Sequence, residues 1–96
     1  MKIEVLDEAE ADLAEGFEFY ERQSKGLGGY FVESILADIK FLQNYAGFHT
    51  LHFGYYRLLA KRFPFGIYYR VEDHVVRVYA VLDVRRDPAW IRKRLV

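Results

Sequence analysis

The chain has 96 residues, a length that suits one domain, 1–96, with an independent but thin core. Fourteen Lys/Arg balance fourteen Asp/Glu, cysteine is absent, and 17 residues are aromatic (8 Tyr, 8 Phe, 1 Trp). Disulfide and thiolate chemistry are therefore excluded, no stretch approaches a ~20-residue apolar span, and the N-terminal run MKIEVLDEAEADL does not read as a secretory signal. The expectation is a cytoplasmic protein with no membrane partner, and with aromatic rings to spare for contact with another protein.

The zero net charge conceals an asymmetry. Residues 1–46 carry 4 Lys/Arg and 10 Asp/Glu, whereas residues 47–96 carry 10 and 4. The acidic half is where helical periodicity is clearest, and the basic half is where strands are. Acidic side chains on solvated helix faces explain the first half. They do not explain ten cations gathered among strands.

Lys2 to Leu6 alternates like a short strand. Asp7 with Glu10 three residues on forms a capping-box pattern, and Ala9, Leu13, Phe17 and Tyr20 recur at helical spacing as far as Gln23. Ser24-Lys25-Gly26 breaks this helix. A second helix is predicted from Leu27 to Tyr45, with Leu27, Phe31, Ile35, Ile39 and Leu42 inward and Glu33, Asp38 and Lys40 toward water. So short a link predicts an antiparallel helical hairpin, and Gly47 is a suitable stop. Phe48 to Tyr55 reads as a loop running into a sheet edge. Strands are predicted over Tyr56 to Phe63, Phe65 to Glu72 and Val75 to Val84, with Pro64 and Asp73-His74 at the turns. Asp87-Pro88 is an N-cap followed by a first-turn proline, opening a helix over Pro88 to Leu95. The order β-α-α-β-β-β-α, with helices on one face of a twisted, mainly antiparallel sheet, is an α+β fold.

Alternation assigns the faces. Val76, Val78, Ala80 and Leu82 point toward the helices, and Arg77, Tyr79, Val81 and Asp83 away. Phe65, Ile67, Tyr69 and Val71 share one face, and Tyr68 and Arg70 the other. The open face thus collects Arg57, Lys61, Tyr68, Arg70, Arg77 and Tyr79, a basic and aromatic surface fit for an anionic or planar partner.

The segment RFPFGIYYRVEDHVVRVYAVL, the ending RRDPAWIRKRL and the element order resemble the RelE/ParE superfamily of toxins from bacterial type II toxin–antitoxin (plasmid stabilisation) systems. The second half carries the specific likeness. The resemblance implies a growth-inhibiting protein neutralised by a cognate antitoxin in a hetero-oligomer. RelE-like members enter the ribosome and cut mRNA with Lys and Arg side chains of the exposed sheet. ParE-like members poison DNA gyrase and have no accepted active-site set. Here Arg57 matches a basic strand residue of the nucleases and Arg86 an arginine after the last strand. Gly66 stands where they carry arginine, Leu59 where they carry lysine, and no tyrosine follows Tyr79. RFPF, YYRVED and RRDPAW are more ParE-like. The reading is a ParE-like gyrase inhibitor, and the alternatives are a ribosome-dependent endoribonuclease or a non-toxic antitoxin-binding member.

Arg70 and Arg77 face each other across a hairpin, where like charges are unfavourable unless a partner or Glu72 and Asp83 compensate. Arg85 and Arg86 precede a helix start, which favours anions; Asp87 also accounts for that position as a plain cap. Trp90 reads as cover for a sheet edge, or as an anchor for a partner. Arg92 extends the basic surface along the last helix. His49-x-x-His52 lacks the same-face spacing of helical ligands and has no acidic third ligand close by, so no metal and no cofactor are expected. General-base work by His49 or His52 is left open, which makes Arg57, Arg86 and His52 the catalytic candidates.

Overall fold

In the computed structural model, which describes residues 1–96, strand β1 (Lys2–Val5) leads into helices α1 (Asp7–Gln23) and α2 (Leu27–Tyr45). Strands β2 (Thr50–His52), β3 (Tyr55–Leu59), β4 (Phe65–Glu72) and β5 (Val75–Asp83) follow, and α3 (Pro88–Leu95) closes the chain. The sheet order is β1-β5-β4-β3-β2, with β1 parallel to β5 and the other pairs antiparallel. The α+β architecture predicted from the sequence is therefore present, with one more strand than foreseen. Thr50–His52 pairs along β3, where the sequence predicts a loop running into the sheet edge and no separate strand. Strand β3 also ends at Leu59 rather than Phe63, because the chain turns back there: Ala60 N–H donates to Phe65 O and Lys61 N–H to the buried Asp38 carboxylate of α2. Asp38 thus points inward rather than to water.

The helix ends differ in how they are capped. Helix α1 begins at Asp7 itself, with Leu6 in the N-cap position and no side-chain cap, so the expected capping box does not form. Three acids in its first turn complement the helix dipole instead. Helix α2 is capped from its neighbour. The Glu21 carboxylate accepts the N–H groups of Gly26 and Gly28, and Gly26 adopts φ +89°. Asp87 caps α3 as expected, its Oδ1 accepting Ala89 N–H at 2.9 Å with Pro88 in the first turn.

The helical hairpin packs on one sheet face. Its core joins Ala9, Leu13 and Tyr20 of α1, Phe31, Ile35, Ile39 and Leu42 of α2, and Phe65, Ile67, Tyr69, Val76, Val78 and Val81 of the sheet. Tyr20, Phe31, Phe63 and Phe65 form an aromatic knot, with Tyr20–Phe63 centroids 4.8 Å apart and Phe31–Phe65 4.9 Å. Gly16 and Gly28 let the two helices approach. A Cβ at Gly16 would enter the Phe31 ring, and one at Gly28 would stand 2.5 Å from the Phe17 carbonyl oxygen.

The opposite face corrects the sequence reading. Tyr68 pairs with Ala80 and Tyr69 with Val78, leaving Tyr79 as the extra residue of a β-bulge. Beyond the bulge the alternation of β5 is inverted. Val81 faces the helical hairpin, while Ala80 and Leu82 face away and join Tyr68, Ile91 and Leu95 in a second apolar cluster under α3. The helices therefore lie on both faces, and α3 covers part of the surface expected to be open. Asp12 of α1 is buried as well. It accepts Val81 N–H at 3.0 Å and both terminal nitrogens of Arg94 at 2.8 and 2.9 Å.

Candidate interaction face of the sheet

What α3 leaves uncovered is the β2–β3 side of its own sheet face. Cross-strand register lines up His52 with Tyr55, Arg70 with Arg77, and Arg77 with Glu4. Arg70 lies flat over this surface. Its guanidinium carbon is 4.0 Å from the Tyr55 ring centroid and 5.5 Å from that of Tyr79, and its Nε donates to Gly54 O at 3.3 Å. No carboxylate pairs with it, so its charge is held only by rings and one carbonyl.

Arg57 is the second cation without a carboxylate. It pairs in register with Thr50 on one side and Tyr68 on the other. Its stem crosses Gly66, where a Cβ would lie 3.0 Å from Arg57 Cδ and 3.0 Å from the Tyr68 ring. The glycine that departs from the nuclease pattern is thus what lets Arg57 lie across the sheet. Arg57 Nε and His52 Nε2 are buried without a hydrogen-bond partner. Burial, and then the Arg57 charge, hold the His52 imidazole below the usual histidine range.

Arg77 does not belong to the free surface. Its Nε is 3.5 Å from Glu4, and Nη1 is 3.4 Å from Glu72 Oε1 and 3.2 Å from Glu72 O. Tyr79 donates to the same Glu72 carboxylate at 3.1 Å, and burial, with that bond, raises its phenol. The carboxylates that answer Arg77 come from neighbouring strands, which explains how two arginines tolerate each other across the hairpin.

No protein-family model matches the sequence, and no curated protein matches it. Solved structures do. One is a chain of the chromosomal ParDE TA system from P. aeruginosa, 24% identical, with a TM-score of 0.80 over 88% of this chain and 96% of that one. The protein has a ParDE-type fold.

The remaining candidates can be placed on that ParDE-type fold. Tyr68 is 1% exposed and belongs to the cluster under α3, not to a docking surface. Lys61 lies beyond the end of β3 with its Nζ 5.6 Å from the Phe41 ring of α2, away from the strip. Arg85 is bound by Asp83, with Nη2 to Oδ2 at 2.7 Å, and these bonds hold the Asp83 carboxyl below its ordinary value. Arg86 stacks 3.7 Å from the Trp90 centroid, and Arg94 approaches the same ring at 5.8 Å. Arg86 and Trp90, with Asp12, Glu15, Phe19 and Asp83, line a separate cleft of about 190 Å³ toward α1. Trp90 is half-buried against the second cluster, and Arg92 projects into solvent from α3.

The structure therefore brings together His52, Arg57, Arg70 and Tyr79, removes Lys61, Tyr68 and Arg77, and sets Arg85, Arg86, Trp90 and Arg92 on a second basic region. Tyr55, the floor under Arg70, was missed because it fell where no periodicity was legible. An apolar groove of about 510 Å³ between α1, α2 and β1 was missed too. Val5, Leu13, Ala14, Phe17, Val32 and Leu36 line it, with Glu10 and Glu18. Phe17, a member of the apolar spacing of α1, lies partly exposed on this groove, and Leu36, outside the stripe of α2, was its one signal in the sequence.

Proposed function

We propose that the protein is the toxin of a bacterial type II toxin–antitoxin system, ParE-like, that inhibits DNA gyrase in the cytoplasm and is neutralised by a cognate antitoxin. The observation that carries this reading is the pair Arg57 and Arg70. Neither has a carboxylate partner, and Arg70 rests on an aromatic floor of Tyr55 and Tyr79. Positive charge left unneutralised in a protein with fourteen acids draws a negative partner by long-range attraction and contributes orientation on contact. The ParDE-type fold and the resemblance of YYRVED and RRDPAW support the same reading. The face acts by binding a macromolecule, and an acidic antitoxin segment covers part of it.

Induced expression of the soluble protein, with a gyrase supercoiling assay on the purified chain, tests the proposal. The expected outcome is filamentation, a DNA-damage response, inhibited supercoiling with intact mRNA, and reversal by the product of an adjacent small acidic reading frame. Normal growth with the protein confirmed soluble would instead identify a non-toxic antitoxin-binding member.

One observation favours a second reading, a ribosome-dependent endoribonuclease. His52 sits close enough to Arg57 for that charge to depress its protonation, so a neutral imidazole and a guanidinium share one face. A base for a 2′-hydroxyl and a cation for a phosphate have this chemistry. Arg86, on the cleft toward α1, does not join them. Rapid cleavage of translated mRNA on induction, lost in His52→Gln, would establish that activity in place of gyrase inhibition.

A further inference from the structure

Strand β2 is held by unusual means. It is a three-residue edge strand, and so short a ladder is marginal by itself. At one end a tight turn joins it to β3 through Phe53 (φ +55°) and Gly54 (φ +84°). At the other, the turn after α2 is tied to the core by a single hydroxyl. Tyr69 Oη accepts Gly47 N–H at 2.9 Å and meets His49 Nδ1. The Tyr69 ring is fully buried and stacks on Tyr56 at 5.3 Å, so this hydroxyl is a fixed post.

The direction of the second bond follows from the first. With Gly47 N–H donating to the oxygen, the phenol hydrogen is free for His49 Nδ1, which must accept it. His49 is then neutral, with its proton on Nε2. A protonated imidazole has donors on both nitrogens. Its Nδ1–H would confront the phenol hydrogen, which would have to give up its bond to the imidazole and turn away. His52, within β2 itself, faces the same difficulty for another reason. Its Nε2 is buried without a partner and its charged neighbour is Arg57, with Tyr55 opposite in register. None of the five ion pairs includes a histidine, so no carboxylate compensates either ring.

We propose that His49 and His52 make this sheet edge acid-sensitive: protonation of the two rings frees β2 and its leading turn from β3 and opens the β3 edge. Burial lowers both histidines in the closed form, with Arg57 adding to the effect at His52. The closed form therefore binds fewer protons than the open one. Its advantage is complete above the ordinary histidine value of about 6.5 and is lost as pH falls from there through the lowered values. Opening would bare the N–H and C=O groups of β3 together with Arg57, a template for an added strand.

Amide exchange followed by NMR tests this on the intact chain. Between about pH 7.5 and about pH 5, protection factors over residues 48–52 should fall roughly tenfold more than those in β4 and β5, and the imidazole shifts should report protonation over the same range. At the upper pH, ¹⁵N shifts should place the His49 proton on Nε2. The double variant His49→Gln, His52→Gln should abolish the pH-dependent difference. Tyr69→Phe, which keeps the ring, should lower β2 protection at every pH. A uniform response of the whole sheet, a double variant that retains the step, or a His49 proton on Nδ1 at neutral pH would each overturn the proposal.

Discussion

Arg94 grips Asp12 with both terminal nitrogens, at 2.8 and 2.9 Å, across 82 positions of sequence. The carboxylate also accepts Val81 N–H at 3.0 Å. One buried side chain therefore joins α1, the bulged part of β5 and α3. Its bonds keep Arg94 firmly in the charged form against the opposing effect of burial. Removing the acid leaves a partly buried guanidinium and a buried amide unpaired. Asp12→Ala is expected to destabilise the fold by about 3 kcal/mol, and Arg94→Met by at least as much, because it leaves the more deeply buried carboxylate without its cation. Urea unfolding of both variants and of the double variant gives the coupling between them, and a coupling near zero would deny the clamp its role.

The approach of α1 to α2 rests on two glycines rather than on a favourable side-chain fit. Gly28→Ala would place a methyl group 2.5 Å from the Phe17 carbonyl oxygen, which is backbone and cannot swing aside. Gly29 has nothing within 4 Å of its would-be Cβ. Gly28→Ala should therefore cost about 1–3 kcal/mol, whereas Gly29→Ala should be neutral or stabilising, since alanine favours the helix. Thermal unfolding of the two variants side by side distinguishes helix contact from helix propensity.

Much of the fold was legible because its signals are local. Helix spacing in α1 and α2, the Asp87-Pro88 start and the Asp73-His74 turn all appear where the sequence puts them. Most misplacements share one physical origin, a tertiary contact overriding a local rule. Tyr79 breaks the two-residue period of β5, so every side chain after it changes face, and alternation alone cannot reveal a bulge. Asp38 is charged and so reads as solvated, and Asp12 belongs to the acidic helix whose charged faces read the same way, yet each accepts a backbone N–H that only the assembled sheet and turn supply. Strand β2 is too short to show a period. At the candidate site Glu72 answers Arg77, one of the two acids the sequence offered for it, whereas Asp83 turns to Arg85 instead. Glu4 was not legible as a partner of Arg77, because it reaches that residue only through the parallel register of β1 and β5.

Acid should weaken the protein through Asp83. The Arg85 side-chain and backbone N–H groups hold its carboxyl below the ordinary range, against a smaller opposing effect of burial. A depressed native value means that the stabilisation is present above the unfolded value, about 3.9, and is lost as pH falls through the native one. Asp83→Asn should flatten the dependence of the urea midpoint on pH below about 4 and leave the neutral region nearly unchanged apart from a constant offset. An unaltered slope in the variant would assign acid sensitivity to other carboxylates.

The two kinds of arginine on the open sheet face make opposite predictions for binding. Arg57 and Arg70 have no acidic partner, whereas Arg77 is already answered by Glu4 and Glu72. Charge reversal at Arg57 and Arg70 should weaken binding of the proposed antitoxin by roughly 2–5 kcal/mol if the pair is desolvated in the interface. Arg77→Met should change that affinity little and act mainly on stability. Gly66→Ala provides a subtler version of the first change. It keeps the charge but pushes on the Arg57 stem, 3.0 Å from the new methyl group. Arg57 is flexible but the buried Tyr68 ring, equally close, is not, so the fold should lose about 1–3 kcal/mol while the guanidinium is displaced. Calorimetric titration of the four proteins ranks them: Arg57/Arg70 reversal weakest, Gly66→Ala intermediate, Arg77→Met close to the parent. If Arg77→Met were as damaging as the double reversal, the unpaired arginines would have no special part in recognition.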